Sequence, residues 1–164
     1  TYALTVVTNG EIYTATETLN AVAPITRIEQ TEGLFDDVEI RAYFDDPANA
    51  ENYYLYEYNH TNLKVAEYFS ESDEFYNGNE FFSNYFSGDV LPGDVIRITH
   101  YGVSKSYSNF MNIVVSLAGQ SGGGPFQSPP ATVRGNIINA TNASNYALGY
   151  FSVSQIDTKL FTVE

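Results

Sequence analysis

Two histidines are the first residues to consider for catalysis, because an imidazole titrates near neutral pH and can act as a general base. His60 falls in a predicted turn, and His100 falls near the end of a predicted strand. A Ser-His-Asp triad also needs an activated serine, and Gly119-Gln-Ser-Gly122 lacks the G-x-S-x-G spacing of a nucleophile elbow. Paired acids such as Glu71 and Glu74 suit a glycosidase, yet any acidic loop offers such a pair. We expect a protein that is not an enzyme and has no catalytic residue, with a hydrolase as the alternative.

Two acidic loops contain the oxygen ligands that calcium prefers. They comprise Asp45, Asp46, Asn49 and Glu51 in the first loop and Asp73, Glu74, Asn77, Asn79 and Glu80 in the second. Neither follows the EF-hand pattern, and Asp or Asn beside Pro and Gly usually builds turns. The absence of cysteine and the distance between the two histidines argue against zinc. We expect no cofactor and no metal site, with a structural calcium ion on one of these loops left open.

Aromatic residues are the most abundant candidates for binding, since the chain has 14 Tyr and 11 Phe. Tyr54, Tyr56 and Tyr58 alternate and would share one face of a strand, where core packing is the preferred interpretation. The segment from Ser70 to Gly88 is interpreted as a loop, and apolar side chains on a loop lack a core to bury them. Its aromatic residues are therefore expected to bind a partner: Phe75, Tyr76, Phe81, Phe82, Tyr85 and Phe86.

A second candidate binding loop spans Gly119 to Asn145 and contains Pro125 and Phe126. Flexible glycine next to rigid proline suits a loop that docks on a partner, so Pro125 and Phe126 join the expected partner-binding residues. A long connector packed on its own domain explains the same sequence equally well. A phosphate-binding loop is excluded, because the segment lacks a suitable lysine and follows the helix.

Most of these residues must be positioned by short strands. Asn9-Gly10 between two alternating segments predicts a hairpin of Tyr2 to Thr8 and Glu11 to Thr18. Further strands are predicted at 25–30, 34–44, 52–58, 63–69, 94–102, 146–154 and 158–163, with a turn at 59–62. One segment has helical periodicity, with apolar residues at Tyr107, Phe110, Met111, Val114 and Leu117 or Ala118. Ser104 or Ser106 is expected to cap its start, and Gly119 its end.

The fold class that follows is mainly β. We predict a β-sandwich or open barrel of short, mostly antiparallel strands, with one inserted amphipathic helix at about residues 105–119. Residues 1–20 form a hairpin, and residues 21–164 form the β-sandwich domain. The net charge of −13 disfavours nucleic acid as a partner and favours a strongly solvated surface. No apolar run approaches the roughly 20 residues of a membrane helix.

Several motifs together resemble a known family, in the same order along the chain. They are Asp46-Pro47 followed by Glu51 to Tyr54, the loop Phe75 to Gly78, the Leu91-Pro-Gly-Asp94 entry to a strand, and the run from Gly122 to Ser154. This pattern resembles the Bacteroidota outer-membrane lipoproteins grouped as domain of unknown function 4249. In that family a hairpin such as residues 1–20 closes a preceding immunoglobulin-like domain.

The resemblance implies a cellular setting and a kind of partner. It implies a non-catalytic surface lipoprotein subunit that associates with an outer-membrane barrel, similar to a TonB-dependent receptor, in nutrient uptake or assembly. The implied location is the cell surface of the outer membrane, through a lipid anchor upstream of Thr1 and outside this chain. The alternative function is a stand-alone β module that binds a glycan or a peptide.

Overall fold

The computed structural model describes residues 1–33, 38–48, 50–61, 63, 65–118 and 133–164. Their secondary structure is mainly β and comprises β1 (Tyr2–Thr8), β2 (Glu11–Glu17), β3 (Ile25–Glu32), β4 (Val38–Asp45), β5 (Tyr53–His60), β6 (Glu67–Ser72), β7 (Glu80–Ser87), β8 (Val95–Val103), α1 (Lys105–Leu117), β9 (Ile138–Asn139) and β10 (Ile156–Thr162). Every pairing between these strands is antiparallel, as predicted. Among the described residues, no helix is long and apolar enough to cross a membrane.

The first hairpin forms as the Asn-Gly pair predicts. Asn9 and Gly10 both have positive φ angles, 51° and 77°, which is the backbone conformation of a type I′ turn. β1 and β2 then pair in continuous register, and the short strand β9 adds to the other side of β2. Nothing in the sequence pattern indicated β9, because a strand of two residues has no period.

The sandwich is made by the other two sheets. One sheet has four strands in the order β10-β8-β5-β6, and the other has three in the order β3-β4-β7. Their facing side chains form one core, in which Phe44 of β4 lies 5.2 Å from the ring of Tyr54 and 6.2 Å from that of Tyr56. The predicted sandwich-like class is therefore confirmed.

The alternating tyrosines of β5 confirm the prediction of core packing. Tyr54, Tyr56 and Tyr58 are each at most 3% exposed. Tyr58 stacks on Tyr85 of β7 with a centroid distance of 4.8 Å, and its hydroxyl lies 2.5 Å from Ser83 Oγ. The small polar side chain of Ser83 thus leaves room for a tyrosine hydroxyl in the core and satisfies it.

The helix begins where the sequence predicts. The Ser104 side chain caps α1 by accepting a hydrogen bond from the backbone N–H of Tyr107 at 3.2 Å. The helix covers the outer face of the four-stranded sheet over β5 and β6, where Ser108 Oγ lies 2.8 Å from Ser70 Oγ. Gly119, the predicted end of the helix, lies outside the described residues.

Two predictions about the chain after β5 are wrong. The turn expected at 59–62 does not begin at Asn59, since β5 continues through His60. The following strand starts at Glu67 rather than at Leu63. Pairing with a distant strand explains why β5 is longer than predicted. His60 pairs with Ile96 of β8, so β5 continues beyond the point where the β5 sequence becomes polar.

The segment 146–154 is not a strand. The Asn136 side-chain amide accepts a hydrogen bond from Phe151 N at 2.8 Å and donates one to Phe151 O at 2.9 Å. One side chain thereby makes the two bonds that a neighbouring strand would make. The Tyr150 ring packs instead on the helix, 4.9 Å from Tyr107 and 5.3 Å from Phe110.

Candidate functional site

A tightly bonded turn, residues 73–79, joins β6 of one sheet to β7 of the other. The carbonyl oxygen of Asp73 accepts hydrogen bonds from the N–H groups of Tyr76 and Asn77, at 2.9 and 2.8 Å. The Asp73 carboxylate accepts a further bond from Asn52 N at 2.8 Å. We call this segment the bridging turn, because it connects the two sheets of the sandwich.

Asp46 fixes the bridging turn to the core. One carboxylate oxygen of Asp46 accepts a hydrogen bond from the Tyr54 hydroxyl at 2.5 Å, and the other accepts one from Gly78 N at 2.9 Å. Gly78 has a φ of 77°, and a Cβ there would lie 2.6 Å from the Cβ of Ala48. Glycine is thus required at this position by both the conformation and the close approach.

The bridging turn directs its two aromatic side chains in opposite directions. Tyr76 is 5% exposed and stacks on Phe81 with a centroid distance of 3.7 Å. Phe75 is 91% exposed. A bonded turn therefore presents one phenyl ring to solvent while its neighbour anchors the turn in the core.

The other predicted partner-binding aromatics lie in β7, and the interpretation of 80–87 as a loop is wrong. Tyr85 is buried and Phe81 packs against the core, so neither is presented to solvent as expected. Phe82 lies on the outer face, 5.1 Å from Tyr43, and Phe86 is half-exposed. The adjacent pairs Phe81-Phe82 and Tyr85-Phe86 disguise the period of two, because one member of each pair faces the core and the other faces outward.

Pro125 and Phe126 lie outside the described residues. Of the remaining predicted set, Phe75 and Phe86 are exposed, Phe82 is intermediate, and Tyr76, Phe81 and Tyr85 belong to the core.

The two edges of the sandwich differ. At one edge β3 and β10 are joined across the sheets: Ile25 N donates to the Asp157 carboxylate at 2.8 Å, and the Gln30 side chain bonds to both backbone groups of Glu164. At the other edge, β6 and β7 flank a cleft of about 500 Å³. We call this cleft the open seam.

The open seam is mixed in character. β6 contributes Phe69 to Glu71, β7 contributes Ser83, Asn84 and Phe86, and Tyr56 of β5 lies behind them. Three aromatic rings and several hydrogen-bonding groups thus share one concave surface, which is the usual composition of a ligand site. Sequence reasoning missed this site, because its walls come from two different sheets.

Electrostatics in the open seam centre on Glu71. Glu71 is an exposed residue that lines the cleft. Its carboxylate is nevertheless partly desolvated, and this raises its pKa above the ordinary value for glutamate. Desolvation also raises the pKa values of Tyr56 and Tyr76, and the Glu71 charge adds to both shifts. The hydroxyls of Tyr56 and Tyr76 are buried and make no hydrogen bond of ordinary geometry within the described chain.

The two histidines are both buried core residues. His60 Nε2 lies 3.1 Å from the Tyr85 hydroxyl. His100 is surrounded by the rings of Phe44, Tyr54 and Tyr56, each within 5 Å of its own ring. Desolvation lowers the pKa of His100 to about 4, although the Ala23 backbone and the Asp157 charge oppose the shift. His100 is therefore neutral at pH 7 and acts as a flat aromatic side chain in the core.

The acidic loops are occupied by protein contacts where the structure describes them. Asp46 and Asp73 hold the bridging turn, and Lys105 Nζ lies 3.8 Å from Glu51 beside a polar cleft of about 380 Å³. Among the described residues, no three His, Asp or Glu side chains are grouped so that they could hold a metal ion. Asn49 lies outside that part of the chain.

Comparison with known proteins identifies the family. No curated protein and no solved structure matches the chain. The model of the family described as "Domain of unknown function (DUF4249)" matches residues 1–160. The chain therefore belongs to the domain of unknown function 4249 family.

Proposed function

We propose that this protein is a non-catalytic, partner-binding subunit of a surface assembly, and that the bridging turn is its principal contact. The observation that carries the proposal is the exposure of Phe75, 91%, on a turn whose backbone is held by Asp46 and Asp73. An aromatic side chain presented by a rigid support loses little conformational entropy when a partner buries it.

The energetic argument concerns the phenyl ring itself. Complete burial of a phenylalanine side chain is worth about 1.5–3 kcal/mol relative to leaving it in water. Tyr76, the next residue, shows that the turn can bury an aromatic ring in its own core. Placing Phe75 in a pocket of a partner would gain that energy and add the packing of an anchor residue.

A second exposed apolar group supports the same surface. Phe86, at the far end of β7 from the turn, is half-exposed. Together with Phe75 it places an exposed ring at each end of the segment formed by the bridging turn and β7. This segment matches the pattern of separate anchors joined by a polar surface that is common at protein interfaces.

The cellular setting of the proposal comes from the family resemblance. We include in it an outer-membrane, surface-exposed location, a lipid anchor outside this chain, and a barrel partner similar to a TonB-dependent receptor. The role of the subunit is then to assist uptake or assembly at that barrel.

The test is affinity capture of the native full-length protein from detergent-solubilised outer membranes, with mass spectrometry of what co-purifies. We expect a stoichiometric barrel protein, retained by Leu148→Ala and lost with Phe75→Ala. Leu148 is a matched control because it is also exposed, at 68%, and lies outside the bridging turn. Recovery of the protein with no barrel, or equal recovery with both variants, would refute the proposal.

A stand-alone ligand-binding module is the second candidate, and the open seam favours it. The cleft is large enough for a peptide segment or an oligosaccharide, and Phe69 and Phe86 give it aromatic walls. An isolated domain with this function would bind a soluble ligand without any membrane partner.

A further inference from the structure

We propose that the open seam binds an extended segment of a protein partner and places a Lys or Arg side chain of that segment against Glu71. This inference rests on the proposed function, because it names the chemistry of the partner. It is tested by a different ligand, so that the two can fail separately.

The strand arrangement supplies the first argument. β6 pairs only with β5, and β7 pairs only with β4, within the described chain. Each therefore presents one edge of backbone N–H and C=O groups toward the open seam. The opposite edge of the sandwich has side-chain hydrogen bonds between β3, β10 and their flanking residues. An extended peptide can add to an open edge as a new strand, with its backbone satisfying those groups.

Glu71 supplies the second argument. It lies on the inward-facing side of β6, opposite Tyr54, and its carboxylate is exposed within the cleft. No described side chain donates a hydrogen bond to it or forms an ion pair with it. A carboxylate partly removed from water without a counter-charge attracts a cation from outside.

The charge distribution supplies the third argument. Nearly every described Lys or Arg already lies within 4 Å of a carboxylate: Arg27, Arg41, Arg97, Lys105 and Lys159. Arg134 lies over the ring of Tyr146, 3.6 Å from its centroid. With a net charge of −13, the protein has acidic groups in excess. A basic partner is therefore electrostatically complementary.

Tyr56 supplies the fourth argument. It lines the open seam while being only 3% exposed, and its hydroxyl, whose neighbour is the Tyr76 hydroxyl, makes no hydrogen bond of ordinary geometry with the described residues. A buried hydroxyl that lacks a well-aligned hydrogen bond costs free energy in the folded protein. A carbonyl oxygen or an amine of the bound segment would satisfy it.

A peptide fits these features better than a sugar. Glycan sites commonly use an exposed flat aromatic platform with polar groups around it. Here the cleft lies between two edge strands, and its acidic group is the single carboxylate of Glu71. Backbone pairing supplies affinity for a peptide, and the Glu71 contact supplies specificity for its basic residue.

The test uses isothermal titration calorimetry with two capped nonapeptides of alternating threonine and valine, one with lysine at the centre and one with glutamine. The lysine peptide should bind at least about tenfold more tightly than the glutamine peptide, as expected for a charge pair in a partly desolvated site. Glu71→Gln should remove this preference. Glu32→Gln is the matched control, because it removes the same charge from an exposed position of β3.

A second variant separates binding from folding. Tyr56→Phe removes a hydroxyl that makes no hydrogen bond of ordinary geometry, so the folded state should keep its stability while the lysine peptide binds roughly three- to tenfold more weakly. Hydrogen exchange should show new protection of backbone amides in residues 67–87 when the peptide is bound.

The outcomes are distinct. Binding of the lysine peptide that depends on Glu71, with protection of β6 or β7, supports the inference. Equal binding of both peptides, protection elsewhere, or binding of oligosaccharides from a glycan panel in place of the peptides overturns it. Absence of peptide binding also overturns it, and if Phe75-dependent capture of a barrel persists, the proposed function stands without this site.

Discussion

His100 should make the protein less stable in mild acid, by an amount that the structure allows us to calculate. The ring is 1% exposed, and desolvation lowers its pKa to about 4, from 6.5 for an ordinary histidine. The unfolded chain therefore binds a proton near pH 6.5, whereas the folded protein resists it until about pH 4. Stability contributed by the neutral ring is complete above pH 6.5 and is lost as the pH falls toward 4.

The magnitude follows from the two pKa values. Each factor of ten in proton affinity corresponds to about 1.4 kcal/mol, so the loss between pH 7.5 and pH 4.5 is about 2–3 kcal/mol from this residue alone. Carboxylates with lowered pKa values, such as Glu39 bonded to Arg41, also destabilise the protein on acidification. Their contribution is shared by a variant that lacks the imidazole, and it cancels in the comparison.

The assay is urea unfolding of the wild type and of His100→Phe between pH 7.5 and pH 4.5. The wild type should lose about 2–3 kcal/mol more than the variant across this range. If His100→Phe does not fold, His100→Leu offers a smaller apolar side chain at the same position. NMR titration should also show that the ring stays neutral at pH 5.5. Equal pH dependence in both proteins, or a ring that titrates near pH 6.5, would refute the argument that His100 is desolvated.

Four other substitutions test turns, packing and capping, each by urea unfolding at pH 7.5. Gly102→Ala should cost about 3 kcal/mol or more, because the new Cβ would lie 1.9 Å from the Ala21 carbonyl oxygen. Gly93→Ala, which has open space and a φ of 94°, should cost only about 1–2 kcal/mol, and equal costs would contradict this account. Ser104→Ala should cost about 1 kcal/mol through the lost N-cap, and no change would mean that the cap is not formed in solution. Tyr54→Phe should lower the free energy of unfolding by about 2 kcal/mol, since it removes a buried hydrogen bond to the Asp46 carboxylate. An unchanged stability would contradict the argument that Asp46 fixes the bridging turn to the core.

Local chemistry explains which parts of the fold the sequence predicts. Asn9-Gly10 specifies its own turn, Ser104 specifies the start of the helix, and the alternation of Tyr54, Tyr56 and Tyr58 specifies the buried face of β5. Each of these signals lies within a few neighbouring residues. The segments that were misjudged depend on distant partners. β8 extends β5 through His60, and the Asn136 amide occupies the place of a strand beside Phe151.

The candidate site also has one part that local sequence predicts and one part that depends on distant residues. The Asn77-Gly78 pair predicts that Phe75 lies in a turn. The sequence does not predict which of the two aromatic rings, Phe75 or Tyr76, is exposed, because that depends on which ring packs into the core. The open seam could not be predicted. Glu71 and Asn84 come from two different sheets, and only the packing of those sheets brings them to one cleft.

The strand β9 has a consequence for the order in which the protein folds. The β1-β2 hairpin is local and can form within microseconds, but β9 joins it only when Ile138 reaches Thr14 and Asn139 reaches Tyr13. Synthesis proceeds from the N-terminus, so the β1-β2 hairpin remains without its third strand until residues 138–139 have been made. This pairing has a long sequence separation, and its loop-closure entropy must be overcome before the contact forms. We infer that the N-terminal hairpin forms early and that its sheet is completed only after the sheet of β3, β4 and β7, whose last strand ends at Ser87.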